Sequence, residues 1–211
     1  MAMELLFSRF PLSAALENHK RAAIGAVDKL SQSELLNSDE DVLKSRVLQK
    51  FKIDVPRLVR ESIYVDEPVE IDVDVTGRWG YDQGDPYGSE RPPTTKGTRV
   101  VIHIPFEGEA ELFHCNPSDW PGSVPRARVG TQELLIEYEL ANSETQDLRQ
   151  RYESAVSGIE QALATIRPQV EECLRELPSI VSTGISLRKA RLQKGVSAVS
   201  SLGLPIKRSG D

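Results

Sequence analysis

The sequence predicts an α+β fold: N-terminal helices, an antiparallel sheet of about four or five strands, and a long C-terminal helical hairpin. Three observations predict it. Residues 11–50 carry apolar residues at helical spacing. Residues 69–140 carry strand-like runs joined by short connections, and Thr98 to Leu140 is the most informative stretch. Residues 143–201 then return to helical spacing. Strands followed by helices, rather than alternating with them, make a segregated α+β domain instead of a parallel α/β one.

The first helix follows from Leu12, Leu16, His19, Ala23, Val27 and Leu30, which recur at three and four residues, with Pro11 suited to a first turn. A second helix is expected from Ser38, an N-cap residue followed by Asp39, Glu40 and Asp41 at the positive end of the helix dipole. It should end near Lys50, because Pro56 follows. From Arg57 the period changes to two. A weaker strand is expected over Val59–Val65. In the clearest strand, Val69, Ile71, Val73 and Val75 alternate with Glu70, Asp72, Asp74 and Thr76. Those valines are expected to face helices and the acids to face away.

Gly77–Gly97 spans 21 residues with five glycines and three prolines, and is expected to be a mobile loop. Arg99–Phe106 and Glu109–Cys115 are expected to form a hairpin around Glu107-Gly108. Residues 116–125 form a Pro-rich loop, and Glu133–Leu140 a last strand. After Ser143, the residues Leu148, Tyr152, Val156, Ile159, Leu163, Ile166, Val170, Cys173 and Leu177 recur at near-heptad spacing. Pro168 should kink that helix and Pro178 should end it, with Ser179–Ser201 folding back as the second arm. The domain boundaries follow: 1–142 for helices and sheet, 143–203 for the helical hairpin, and 204–211 for a tail. The near-heptad positions Leu163, Ile166 and Val170 are candidates for a homodimer interface or a protein-partner interface.

Composition bounds the function. The chain has 211 residues and a net charge of −6, from 26 basic and 32 acidic residues. A mildly acidic chain is not expected to bind nucleic acid directly, since phosphate contact needs a basic face. The two cysteines, Cys115 and Cys173, lack metal-ligand spacing and suit a reducing, cytoplasmic compartment. No run of apolar residues suits a membrane span, and the N-terminus has no basic region of a secretory signal. Neither a cofactor nor a catalytic residue is predicted.

Four constellations carry chemistry. Glu70, Asp72 and Asp74 share a strand face and suit a divalent cation or a basic partner. A nuclease-like centre would also need a downstream Glu/Asp-x-Lys, which is absent, so a solvated sheet face is preferred. The metal-dependent hydrolase using this strand remains the alternative function. His103, His114 and Cys115 are too few and too divergent for a zinc site, since consecutive strand residues point to opposite faces. The basic residues Arg188, Lys189, Arg191, Lys194, Lys207 and Arg208 suit a helix C-terminus, since no aromatic residue is interleaved for base stacking. Trp79, Tyr81, Tyr87 and Trp120 lie in or beside loops. They are the candidate ligand or partner surface, and loop 77–97 would then act as a ligand sensor.

The segments RVVIHIPFEGEAELF, PRARV, ELLIEYEL, GIEQALATIRPQVEE and LRKARLQKGVSAVSSLGLPIKR, in that order over about residues 50–208, resemble the N-terminal module of a family of uncharacterised bacterial proteins. The resemblance implies a Pro-rich linker and a restriction-endonuclease-like domain after such a module. It carries no catalytic motif, so no residue role is transferred by it. What it implies for this chain is a non-catalytic recognition, scaffolding or oligomerisation module, nuclease-associated and used in defence.

Overall fold

The computed structural model of the chain describes residues 3–75, 94–118, 125–141 and 147–201. Its class is α+β: N-terminal strands and helices, a mostly antiparallel sheet and a long C-terminal helix. Contacts divide the chain into two compact units, residues 1–12 with 54–166, and residues 13–53 with 167–211. This grouping cuts across the sequence boundary at 142/143, because each unit takes part of the C-terminal helix.

The first unit holds the sheet. Its strands are β1 (Glu4–Leu5), β3 (Arg57–Leu58), β4 (Tyr64–Val65), β5 (Val69–Asp74), β6 (Thr94–Glu107), β8 (Arg126–Val129) and β9 (Glu133–Ala141). The order is β1-β8-β9-β6-β3, and β4 and β5 also pair with β6, all antiparallel. A parallel pair, β2 (Phe10–Pro11) with β7 (Cys115–Asn116), lies apart from it. The long strand β6 organises the unit. Its Val100, Ile102 and Ile104 stand opposite Tyr138, Ile136 and Leu134 of β9, and all six are buried. These positions alternate along both strands, so they share one face. Val156, Ile159, Ala162, Leu163 and Ile166, on the helix α4 (Leu148–Ser200), are buried in the same unit at helical spacing. Each large apolar side chain so buried contributes roughly 1.5–3 kcal/mol.

The strand expected over Val59–Val65 is interrupted by a 3-10 helix, Arg60–Ser62, so only Tyr64–Val65 of it pairs as strand. Three further expectations for this unit need correction. The loop assigned to 77–97 ends earlier, since Thr94–Gly97 belong to β6 and pair with β5. The rest of that loop lies outside the described residues. Residues 109–115 do not form the second arm of a hairpin. They contain a 3-10 helix, Ala110–His114. Both edges of β6 are already taken near its C-terminal end, by β9 on one side and by β4 and β3 on the other. The chain therefore finds no free edge to return along. It turns away at Gly108, whose φ of +110° only glycine adopts without strain. Any Cβ there would also lie 2.8 Å from the Asp54 carbonyl oxygen.

The third correction concerns β5. Its acids Glu70, Asp72 and Asp74 are exposed, as expected. Of the residues expected to face inward, Val73 and Val75 are buried, but Val69 and Ile71 are not fully covered. Register places Val69, Ile71 and Val73 opposite Arg99, Gly97 and Thr95, the face of β6 away from Val100 and Ile102. Val73 is buried over Gly97, while Ile71 is half-buried and Val69 is exposed. Alternation fixes which residues share a face, and the partner strand decides whether that face is covered.

The second unit is helical: α1 (Leu12–Asp28), α2 (Gln32–Asn37), α3 (Glu40–Gln49) and the rest of α4, with the unit boundary just after Leu12. The first helix matches its expected stripe. The helix expected from Ser38 starts at Glu40 behind the N-cap Asp39. Helix α2 was not expected, although Ser31-Gln32-Ser33-Glu34 is a capping box. Backbone and hydroxyl hydrogen bonds from Ser31, then Arg46, hold the Glu34 carboxyl at a pKa of about 2.

The C-terminal element is one continuous helix, not a hairpin, and both Pro168 and Pro178 lie inside it. An interior proline costs about 3 kcal/mol through its missing N–H and its clash with the preceding turn. Here a stripe at intervals of four residues, Cys173, Leu177, Val181 and Ile185, runs through Pro178. Leu177, Val181 and Ile185 pack with Ala23, Val27, Leu35, Leu43 and Val47. A reversal at Pro178 would remove Val181 and Ile185 from that cluster, which outweighs the proline. Arg188 donates to the Val27 carbonyl at 2.6 Å and Lys189 lies 3.5 Å from Glu40, so these two basic residues close the end of α1 and the start of α3.

Candidate functional site

The sequence-predicted residues separate in the structure. Trp79, Tyr81, Tyr87 and Trp120 lie outside the described residues. Leu163, Ile166 and Val170, the candidate interface residues, are 4%, 0% and 1% exposed within the single chain. A helix at near-heptad spacing buries the same stripe whether its partner is a second copy or its own chain. The acidic strand is partly neutralised, since Lys96 lies 3.0 Å from Asp72 and 3.6 Å from Glu70 across the sheet. No three His, Cys, Asp or Glu side chains among the described residues converge as a metal-ligand set.

His103 and His114 have different partners. On β6, His103 is held between two carboxylates: Nδ1 is 3.1 Å from Glu133 and Nε2 is 3.1 Å from Asp66. Tyr64 stacks on the ring at 4.4 Å and donates to Glu133 at 3.2 Å. The carboxylates sit on opposite ring nitrogens, so one ion cannot take all three groups. Only an imidazolium donates from both nitrogens. Burial opposes that charge, but the hydrogen bonds and charges of Asp66 and Glu133 outweigh it and raise the His103 pKa. The cluster ties the segment after β4 to β9 across β6.

That linkage sets a pH dependence. A raised folded-state pKa gives stability that is full below the ordinary histidine value. It is lost as pH rises through the higher folded value. Denaturant midpoints measured from about pH 5.5 to about pH 9 should therefore fall for the native chain, by less than about 1 kcal/mol because both carboxylates are well exposed. His103→Gln should flatten that dependence, and an unchanged slope in this variant would contradict the assignment.

His114 ends the 3-10 helix and is buried, with its Nδ1 lacking a hydrogen-bond partner and 3.4 Å from Glu4. It borders a cavity of about 540 Å³ with Glu4, Arg9 and Glu111. Cys115 is buried, and burial, reinforced by the nearby Glu111, raises its thiol to about 11, which makes it a poor nucleophile at neutral pH. Cys173 is buried as well.

The feature that sequence reasoning missed is the outer edge of the sheet. Along one side, β6 is paired in turn with β5, β4 and β3. Among the described residues nothing pairs with the far side of β4 or β5. Tyr64, Val65 and Val69 lie along this edge and are 50%, 55% and 51% exposed. Asp66, Glu67, Glu70 and Asp72 are interspersed with them. The run Y-V-D-E-P-V-E-I-D carried that signal, but periodicity alone reads it as one buried and one wet face. No helix among the described residues is long and apolar enough to cross a membrane.

Comparison of the chain with protein-family models, with curated proteins and with solved structures finds no match. Functional inference therefore rests on the site, since fold class alone does not specify function.

Proposed function

We propose that the chain is a non-catalytic recognition and scaffolding module that docks an extended, basic segment of a protein partner on the β4–β5 edge. The observation that carries this reading is the exposed apolar row Tyr64, Val65 and Val69 on an edge that no described strand covers. An open edge supplies main-chain donors and acceptors to an added strand, and alternate side chains supply selectivity. Charge chooses the partner: among the described residues Asp66, Glu67, Glu70 and Asp72 outnumber the cations beside them, Lys96 next to Glu70 and Asp72 and His103 next to Asp66. Acids and a proline at an edge also guard against self-pairing, which suits a partner of opposite charge better than a second copy. As the resemblance implies, such a module works beside a nuclease-like domain in bacterial cytoplasmic defence.

Fluorescence anisotropy with labelled peptides of alternating Lys and Val tests the docking edge, with alternating Glu and Val as the counterpart. Saturable binding of the basic peptide alone, abolished by Val65→Lys with Val69→Lys, is the expected result. Equal binding of both peptides, or binding indifferent to those substitutions, would refute it. A second reading, self-association, rests on Leu187 and Val196, exposed on the far part of α4. Light scattering decides it: a mass of 23.4 kDa at high concentration excludes the dimer.

A further inference from the structure

We propose that the groove where β8 departs from β9 binds a small phosphomonoester through Arg126 and Arg151. The groove has a volume of about 480 Å³, and Arg126, Glu137, Tyr138, Gln150, Arg151 and Ser154 line it. Small-ligand sites span roughly 300–1,000 Å³. Its walls come from β8, β9 and the first turns of α4, so regular elements position the side chains.

Charge makes the case for an anion. In this acidic chain many arginines are paired with carboxylates: Arg46 with Glu34, Arg57 with Glu107, Arg60 with Glu160 and Arg149 with Glu153. The two arginines of the groove have no carboxylate partner among the described residues. Arg151 lies over the Tyr138 ring, 5.0 Å from its centroid. That contact positions the guanidinium through the ring and uses none of its N–H donors in a carboxylate pair. The one acid of the groove, Glu137, is 3.5 Å from Arg99, which takes up its charge. Two residues along β8, and on the same strand face as Arg126, Arg128 carries a buried Nε without a hydrogen-bond partner. Among the described residues the groove therefore carries an excess of positive charge.

Phosphate fits this set better than a single carboxylate. Two guanidinium groups match a dianion, each offers a planar pair of donors to oxyanions, and Gln150 and Ser154 add neutral donors. The groove is small and the chain acidic, which favours a small phosphate ester over a nucleic-acid chain.

Calorimetric titration of the full chain at constant ionic strength tests this, with inorganic phosphate, adenosine monophosphate and uncharged adenosine as probes. The expected result is saturable binding of one or both phosphates and none of adenosine. Arg126→Gln and Arg151→Gln should each weaken binding by about tenfold or more, and Arg151→Lys by less, because the charge persists without the fork. Arg149→Gln should leave binding unchanged, since that guanidinium is engaged by Glu153 at 2.9 Å. Circular dichroism should show all four variants folded, as these arginines are exposed. The proposal is overturned if neither phosphate saturates, if adenosine binds as well as its monophosphate, or if Arg149→Gln weakens binding as much as Arg151→Gln.

Discussion

Replacing Gly97 with alanine should destabilise the sheet unit by about 2–4 kcal/mol, one of the largest effects of a single methyl in this chain. Gly97 sits inside β6 with Ile71 opposite it on one side and Ala141 on the other. An added Cβ would lie 2.4 Å from the Leu140 carbonyl oxygen and 2.5 Å from Val73 Cγ2. The carbonyl is backbone in a paired strand and cannot rotate away. Val73 is 1% exposed, so moving it disturbs buried packing. Strand β9 must therefore shift or Val73 must leave its well, and both break packing near the end of the sheet. The double variant Gly97→Ala with Val73→Ala should recover part of the loss by removing one of the two clashes. Gly25→Ala provides the opposite sign: a Cβ in that helix meets nothing, so up to about 1 kcal/mol of stabilisation is expected. Chemical denaturation reads all three. A Gly97→Ala midpoint indistinguishable from the native one would show that β5, β6 and β9 are not packed in this register.

Local chemistry was legible in the sequence wherever it is decided locally. The stripe of α1, the alternation of β5 and the first part of α4, Leu148 to Leu177, all depend on neighbours within a few residues. Errors arose where distant segments compete. Glu109–Cys115 has strand-like composition, yet β9 and the segments around Leu58 and Tyr64 already hold the edges it would need. Pro178 reads as a stop, yet Val181 and Ile185 are buried beside Leu177 in one cluster. The valines of β5 alternate as expected, but the odd-numbered residues of β6 opposite them lie on the less covered face. The capping box at Ser31 was a missed local signal, hidden by the short helix that follows it.

The candidate site was less legible because pairing assembles it. His103, Asp66 and Glu133 are 30 or more residues apart in pairs that the sheet brings to 3.1 Å. The apolar row at Tyr64, Val65 and Val69 gains meaning only once β6 is seen to be paired on its other side. Arg126 lies in the segment PRARV, where composition marks it as an ordinary strand residue. Its lack of a carboxylate partner among the described residues is visible only in three dimensions.

Leu163→Asp should unfold the first unit instead of separating two copies of the chain. Leu163 is 4% exposed and lies in the buried run Val156, Ile159, Ala162, Leu163 and Ile166. A carboxylate there loses its hydration among buried apolar side chains, which costs several kcal/mol whether it stays charged or takes up a proton. Such a loss is a large part of the roughly 5–15 kcal/mol by which a domain is stable. Val170→Asp, at a fully buried position of the second unit, should act in the same way there. Gln161→Glu, on an exposed position of the same helix, should stay within about 0.5 kcal/mol of the native chain. Far-ultraviolet circular dichroism and light scattering together separate the two roles of the stripe. Loss of helicity in Leu163→Asp, with Gln161→Glu unchanged, assigns the stripe to the core of one chain. A variant that keeps its helicity and midpoint while its mass halves would instead make this stripe the contact between copies, and would overturn the burial assigned to it here.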